Sequence, residues 1–199
     1  MIYKDLTSYK IILASQSPRR RHLLEEIGIE FELAPSLDIE ETYPDHLNTQ
    51  EISMYLSELK ATAYSSYLDR NVILITADTV VVQNNEIIGK PENYAHAYAI
   101  LKRLSGSKHN VYTGVTLTSL SQQRTFLAKT KVFFDRLEDE EIQYYLENYK
   151  PYDKAGSYGI QEWIGYIGVQ RIKGSFFNVM GLPVHQLYNE LKVFIKREG

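Results

Sequence analysis

The spacing of apolar positions changes several times along this chain, and each change marks a new element. Residues 10–14 (Lys-Ile-Ile-Leu-Ala) form a short continuous apolar run and read as a strand. Beyond it Leu23, Leu24 and Ile27 recur at helical spacing. Ser17 suits an N-cap, Pro18 the first helical position and Gly28 the stop, which predicts a helix over 18–27. A short strand is expected at 30–34, then an acidic loop over 35–48. Ile52, Tyr55, Leu56, Leu59 and Ala63 share one face of a long helix, expected to be capped by Thr49 and to run to about residue 68.

The stretch 71–83 is mostly β-branched, the mark of a strand buried on both faces. Asn84-Asn85 is a turn signal, with a returning strand at 86–88. A helix at 94–104 closes at Ser105-Gly106. Residues 111–120 and 125–135 are expected to form a long hairpin around Ser121-Gln122-Gln123. A helix at 139–149 stops before Pro151, a strand is expected at 166–172, and a final amphipathic helix at 184–197. The alternation predicts an α/β fold with a mixed sheet flanked by helices. The hairpin and the helix after it are candidates for a second lobe, with no Pro/Gly/Ser linker setting them apart.

At 199 residues the chain is long enough for one domain with a substantial core, and 44% hydrophobic with 24% charged residues is ordinary for a globular protein. A net charge of −3 argues against a general nucleic-acid binder. With no cysteine, disulfides, a thiol nucleophile and Cys-ligated zinc are excluded, which fits a cytoplasmic location. The polar N-terminus does not read as a signal peptide, and no apolar run approaches a membrane span. Sixteen tyrosines are scattered through predicted helices and strands, where core edges and a subunit interface account for them.

Candidate chemistry begins where charge is misplaced. Arg19, Arg20 and Arg21 occupy the first turn of the helix at 18–27, where each cation costs about 0.3–1 kcal/mol. Glu25 and Glu26 are i+4 partners for Arg21 and His22, but Arg19 and Arg20 have Leu23 and Leu24 there. Two guanidiniums beside free backbone N–H groups suit a polyanion; the plain alternative is a solvated basic surface.

Asp78, in Thr76-Ala77-Asp78-Thr79, puts a carboxylate inside an apolar strand, which suits a general base, a metal ligand, or a cap at a strand end. Lys60 borders the apolar stripe of its helix and by itself reads as a solvated lysine able to reach from a core edge into a cleft. Lys90 sits on the turn Gly89-Lys90-Pro91. Asp38, Glu40 and Glu41 cluster in the acidic loop, either simply solvated or offering oxygens to a divalent cation. The stretch 153–161, Asp-Lys-Ala-Gly-Ser-Tyr-Gly-Ile-Gln, mixes glycines and polar groups, as a binding loop or a loop needing positive φ would. The amide of Gln161 can read a base edge. The five histidines lack metal-ligand spacing, and His109 reads as a structural hydrogen-bonding group at a strand start. P-loop, G-x-G-x-x-G and G-x-S-x-G patterns are missing.

Taken in order, residues 15–20, 76–81, 89–91, Ser105-Gly106 with 109–114, 153–161 and 178–183 (Asn-Val-Met-Gly-Leu-Pro) resemble the Maf family of nucleoside triphosphate pyrophosphatases. The resemblance spans nearly the whole chain. It implies a mixed α/β fold like that of inosine triphosphate pyrophosphatase, with a cleft between two lobes. It also implies cleavage of a nucleoside triphosphate between the α- and β-phosphates with a divalent cation, expected to be Mg²⁺ or Mn²⁺, in a homodimer; with the charge and the short apolar runs, neither nucleic acid nor membrane is expected as a partner. Position by position, it makes Asp78 the proton acceptor and Ser15, Arg19, Arg20, Lys60 and Lys90 the phosphate-contacting residues.

Arg19, Thr79 and Gln161 match the specificity positions of the dTTP/UTP branch. In the 7-methyl-GTP branch Asp-Gln would replace Asp78-Thr79, and another residue would stand at Gln161. The metal carboxylates are expected to be Asp78 with Glu40, in preference to Glu41. One departure stands out: Glu162 follows Gln161 where the family usually has glycine. Rival readings are the same chemistry on 7-methyl-GTP or a modified nucleotide, and a nucleotide-binding regulator of cell division.

Overall fold

The computed structural model describes residues 2–198. Seven strands and eight α-helices alternate among them: α1 (Ile2–Leu6), β1 (Lys10–Leu13), α2 (Pro18–Glu26), β2 (Glu32–Leu33), α3 (Ile52–Ala63), β3 (Val72–Gln83), β4 (Glu86–Ile88) and α4 (Tyr94–Leu104). These are followed by β5 (Lys108–Thr118), β6 (Gln123–Phe134), α5 (Asp139–Tyr149), α6 (Trp163–Gly168), β7 (Val169–Lys173), α7 (Phe176–Met180) and α8 (Val184–Glu198). The strands form one sheet in the order β2-β1-β3-β5-β6-β7, with β4 paired to β3. Strands β2, β1 and β3 are parallel, β4 is antiparallel to β3, and β7 is antiparallel to β6. The mixed α/β class read from the sequence is the one observed.

The chain divides into two compact units. One runs to Asp78 and adds Thr113–Ala128 and the residues from Gly181 on; the other comprises Thr79–Tyr112 and Lys129–Met180. The predicted hairpin is therefore shared, its turn-proximal half belonging to the first unit.

In the first unit Ile12 and Ala14 pack with Ala34, Tyr64, Val72 and Leu74. Helix α3 is seated on the sheet through buried hydroxyls: Thr76 Oγ1 donates to Ser57 O (2.7 Å), and Ser57 Oγ shares a hydrogen bond with Thr116 Oγ1 (2.8 Å). A Cβ on Gly114 of β5 would stand 2.2 Å from Ser53 O, so only glycine permits this approach of helix and strand. Leu187, Leu191 and Phe194 of α8 are fully buried, and Gln122 Nε2 donates to Phe194 O (2.9 Å).

In the second unit β3 returns into β4 through Asn84 and Asn85 at φ 52° and 64°, the left-handed pair that a two-residue hairpin turn requires. Helix α4 buries Ala97, Ile100, Leu101 and Leu104, and α5 buries Ile142, Tyr145 and Leu146.

Three expectations are corrected. Thr49 caps no helix: Asn48 Oδ1 accepts from Gln50 N (3.2 Å) while Glu51 Oε2 accepts from Asn48 N (3.0 Å), and this turn delays the helix to Ile52. The helix also ends at Ala63 rather than near residue 68, with a single 3₁₀ turn at Ser65–Tyr67 beyond it. The strand expected at 166–172 begins only at Val169, because Trp163–Gly168 is helical. Gly165 N donates to Glu162 O (2.8 Å), and its missing side chain leaves room for the Ile160 carbonyl, so local turn chemistry overrides the β-preference of Tyr166 and Ile167.

Candidate active site

Helix α2 starts as its sequence dictates. Ser17 Oγ accepts from Arg20 N (3.4 Å), and Pro18 occupies the first turn. That start directs the Arg20 side chain back across the end of the sheet. Its Nε donates to Gly181 O (2.8 Å), and its Nη1 donates to Ala77 O (2.8 Å) and Ser15 Oγ (3.3 Å). Burial lowers the pKa of this guanidinium, and Asp78 and Glu41 oppose the shift, while the charge of Arg19 adds to it. Arg20 is thus a fixed cation rather than a solvated one. His22 and Glu26 form the i,i+4 contact expected (3.9 Å), exposed on the far side of the helix.

Asp78 follows a run of β3 in which Ile73, Leu74, Ile75 and Ala77 are fully buried, and it is itself only 8% exposed. A carboxylate so placed needs a cation. Lys60, one turn beyond the anchored Ser57 of α3, supplies it: Nζ donates to Asp78 Oδ1 at 2.6 Å. The same Nζ is 2.9 Å from Glu41 Oε1, and the Lys60 side chain is 13% exposed. The solvated-lysine reading is therefore incorrect.

The acidic loop that carries Glu41 is tied at its start, where Tyr64 Oη donates to Pro35 O (2.9 Å) and accepts from Leu37 N (3.2 Å). Glu40, also exposed, uses its backbone carbonyl to accept from Thr42 N (3.0 Å). Thus Ser15, Arg20, Lys60, Asp78 and Glu41 are brought together, with Arg19 half-buried beside Arg20 on the same turn.

The other predicted residues belong to the second unit. Thr79 is half-buried and Lys90 is exposed. The turn carrying Lys90 is fastened to the 153–161 loop, because Gly156 N donates to Gly89 O (3.1 Å). Within that loop Tyr158 Oη and His109 Nε2 share a buried hydrogen bond (2.7 Å), and both rings pack against Phe134. Burial lowers the His109 pKa to about 4 and raises that of Tyr158, so both stay neutral near pH 7. His109 is structural, as its position at a strand start suggested.

Gln161 is half-buried, and its Oε1 is buried with no hydrogen-bond partner. Lys154, 9% exposed, pairs with Asp153 Oδ1 (2.8 Å) and Glu162 Oε1 (3.1 Å). Tyr145 donates its hydroxyl proton to Glu162 Oε2. Lys154 and Tyr145 were missed as contributors: the first lay unassigned within the loop, and the second reads as core because Ile142, Tyr145 and Leu146 share one apolar face.

A mixed sheet ending in fixed cations and paired carboxylates is a site built for polyanionic substrates. The model of the Maf-like protein family matches residues 10–194, and the chain belongs to that family. It is 54% identical over 95% of its length to a dTTP/UTP pyrophosphatase of Phocaeicola vulgatus, covering 98% of that protein. A dTTP/UTP pyrophosphatase of Porphyromonas gingivalis is 53% identical, with 96% of each chain covered. Among solved structures, the Staphylococcus aureus Ham1 protein aligns with 63% of this chain and 71% of its own, at 16% identity and TM-score 0.44.

Proposed function

We propose that this protein hydrolyses dTTP and UTP to the monophosphate and pyrophosphate, as the names of its relatives at about half identity suggest. The observation that carries the reading is the Asp78–Lys60–Glu41 group beside Arg20: a shielded carboxylate next to fixed positive charge. Those cations would take the charge of the triphosphate and of the departing pyrophosphate. Arg20 is held by three acceptors before any substrate arrives, so its placement costs little reorganisation on binding. The Asp78 carboxylate would accept a proton from the water that attacks the α-phosphorus.

A divalent cation fits the donor set. Asp78 and Glu41 already place an oxygen each on one cation, the Lys60 ammonium. Among the described residues no group of three or more His, Cys, Asp or Glu side chains gathers as a metal site. Two carboxylates completed by phosphate oxygens is the arrangement Mg²⁺ favours. Asp78 and Glu41 would hold the ion, with Glu41 preferred over Glu40 because its Oε1 shares Lys60 with Asp78. When bound, the ion would offset phosphate charge as a Lewis acid.

From the resemblance, Lys90 and Ser15 bind phosphate, and Arg19, Thr79 and Gln161 select the base. The unpaired Gln161 Oε1 supports that role, since a uracil or thymine N3–H would satisfy it. No helix among the described residues is long and apolar enough to cross a membrane. We place the protein in the cytoplasm as a homodimer, with the absence of cysteine in keeping with the first and the 81% exposure of Tyr166 with the second.

The direct test is pyrophosphate release from dTTP and UTP with Mg²⁺ by the wild type and Asp78→Asn. The substitution is expected to lower kcat by about 10²–10⁴-fold. Activity retained within about tenfold would remove Asp78 from the proton-accepting role.

A further inference from the structure

The carboxylate of Glu162, next to Gln161, is held by two side chains of the second unit. Oε1 is 3.1 Å from Lys154 Nζ, and Oε2 accepts the Tyr145 hydroxyl. The same hydroxyl accepts from Gly159 N at 3.0 Å, and Glu162 N donates to Gly159 O at 3.0 Å. Residues 159 and 162 are therefore bound to each other and to a single oxygen. That oxygen belongs to Tyr145, a fully buried side chain on α5. Gln161 lies between the two fastened residues.

The direction of the relay is fixed. Burial and the neighbouring Glu162 raise the Tyr145 pKa, so the phenol keeps its proton, donates it to the carboxylate and accepts from the Gly159 amide. Space is fixed as well. A Cβ on Gly159 would come within 2.6 Å of Glu162 Cδ and 2.9 Å of both carboxylate oxygens, so the carboxylate fills the room a side chain would need.

This fastening holds something that would otherwise relax. A buried amide oxygen without a partner, such as Gln161 Oε1, costs roughly 1–3 kcal/mol, and a loose loop would turn it toward water. Lys154, Tyr145 and Gly159 tie down the backbone on either side of Gln161 through Glu162. We infer that Glu162 is a positioning residue for base selection, bracing the Gly159–Glu162 turn on Tyr145 and Lys154 so that the Gln161 side chain keeps one orientation for reading the pyrimidine edge. The inference rests on the reading of Gln161 as a base-selecting residue.

The test measures KM and kcat for dTTP and GTP, with thermal melting of each variant, for Gln161→Ala, Glu162→Ala, Glu162→Gln, Tyr145→Phe and the double variant Gln161→Ala/Glu162→Ala. Glu162→Ala and Tyr145→Phe are expected to raise KM for dTTP about tenfold, to leave kcat within about threefold, and to reduce the preference for dTTP over GTP. Glu162→Gln, which keeps an acceptor for the Tyr145 proton, should recover most of that preference. The double variant should discriminate no worse than Gln161→Ala alone, because both changes act through one amide.

If Gln161→Ala leaves the preference unchanged, the base-selecting role of Gln161 fails and takes this inference with it. If Gln161→Ala abolishes the preference while Glu162→Ala and Tyr145→Phe retain the wild-type value, the inference alone is overturned. Should Glu162→Ala not fold, Tyr145→Phe decides, since it deletes one hydroxyl and keeps the ring.

Discussion

The two groups of candidate residues are held by opposite means. In the first unit, Asp78 and Glu41 hold Lys60 by ion pairs, and their charge also offsets that of Arg20, which carbonyl and hydroxyl oxygens keep in place. In the second, the 153–162 loop is held by a neutral His109–Tyr158 pair and by a Glu162 whose charge is consumed by Lys154 and Tyr145. Among the buried polar atoms that this unit leaves without a hydrogen bond is a neutral amide oxygen, Gln161 Oε1. Charge that can be reassigned to phosphate and metal suits the reacting end of a nucleotide. A directional, uncharged acceptor suits a base, whose identity is carried by a pattern of donors and acceptors. Rate and selectivity should therefore separate on mutation.

The widest separation is expected at Asp78. The Asp78→Asn variant should keep whatever ratio of dTTP to GTP turnover the wild type shows while both rates fall, measured with enough enzyme to follow the residual activity. A collapse of the ratio along with the rate would mean that the two groups of residues do not act independently. A smaller effect, on the order of 10–100-fold in kcat/KM, is expected for Arg20→Lys. A lysine has a single nitrogen and cannot hold Gly181 O, Ala77 O and Ser15 Oγ as Nε and Nη1 do. The loss should appear equally with dTTP and GTP. A loss confined to dTTP would assign Arg20 to base selection instead.

The sequence discloses these two groups unequally. The arginines and Asp78 are legible because each violates a local rule: cations at a helix start, a carboxylate inside an apolar strand. Elements with local punctuation are legible too, such as the Asn84-Asn85 hairpin and the helices Tyr94–Leu104 and Asp139–Tyr149, whose bounds match expectation. Lys60 violates nothing; only the seating of α3 through Ser57 on Thr76 and Thr116 shows where its ammonium ends. The Tyr145 hydroxyl is hidden by its own ring, which fits an apolar helix face whatever the oxygen does. The second half of helix α6 reads as strand because aromatic and β-branched residues outweigh a turn that Glu162 and Gly165 close by one backbone hydrogen bond. Partners distant in sequence leave no trace in periodicity.

The gentlest way to probe the uncharged side of the comparison is through pH. His109 is held neutral by burial, with its pKa lowered from 6.5 to about 4, and its ring faces Tyr158, itself kept protonated, and Phe134. In the unfolded chain the imidazole takes a proton below pH 6.5, whereas in the folded protein it does so only near pH 4. The unfolded state thus binds more protons between these values, and folding stability falls as pH drops through this window. The contribution is at most about 3 kcal/mol, fully present above pH 6.5 and lost by about pH 4. Glutamine at 109 keeps a hydrogen-bonding group for Tyr158 but does not titrate. Urea unfolding of the wild type and His109→Gln at pH 7 and pH 4.5 should therefore show a smaller loss in the variant, with carboxylate contributions common to both cancelling in the difference. Equal losses would show that the second unit does not keep this ring uncharged, and the contrast with the ion-paired first unit would fail at that point.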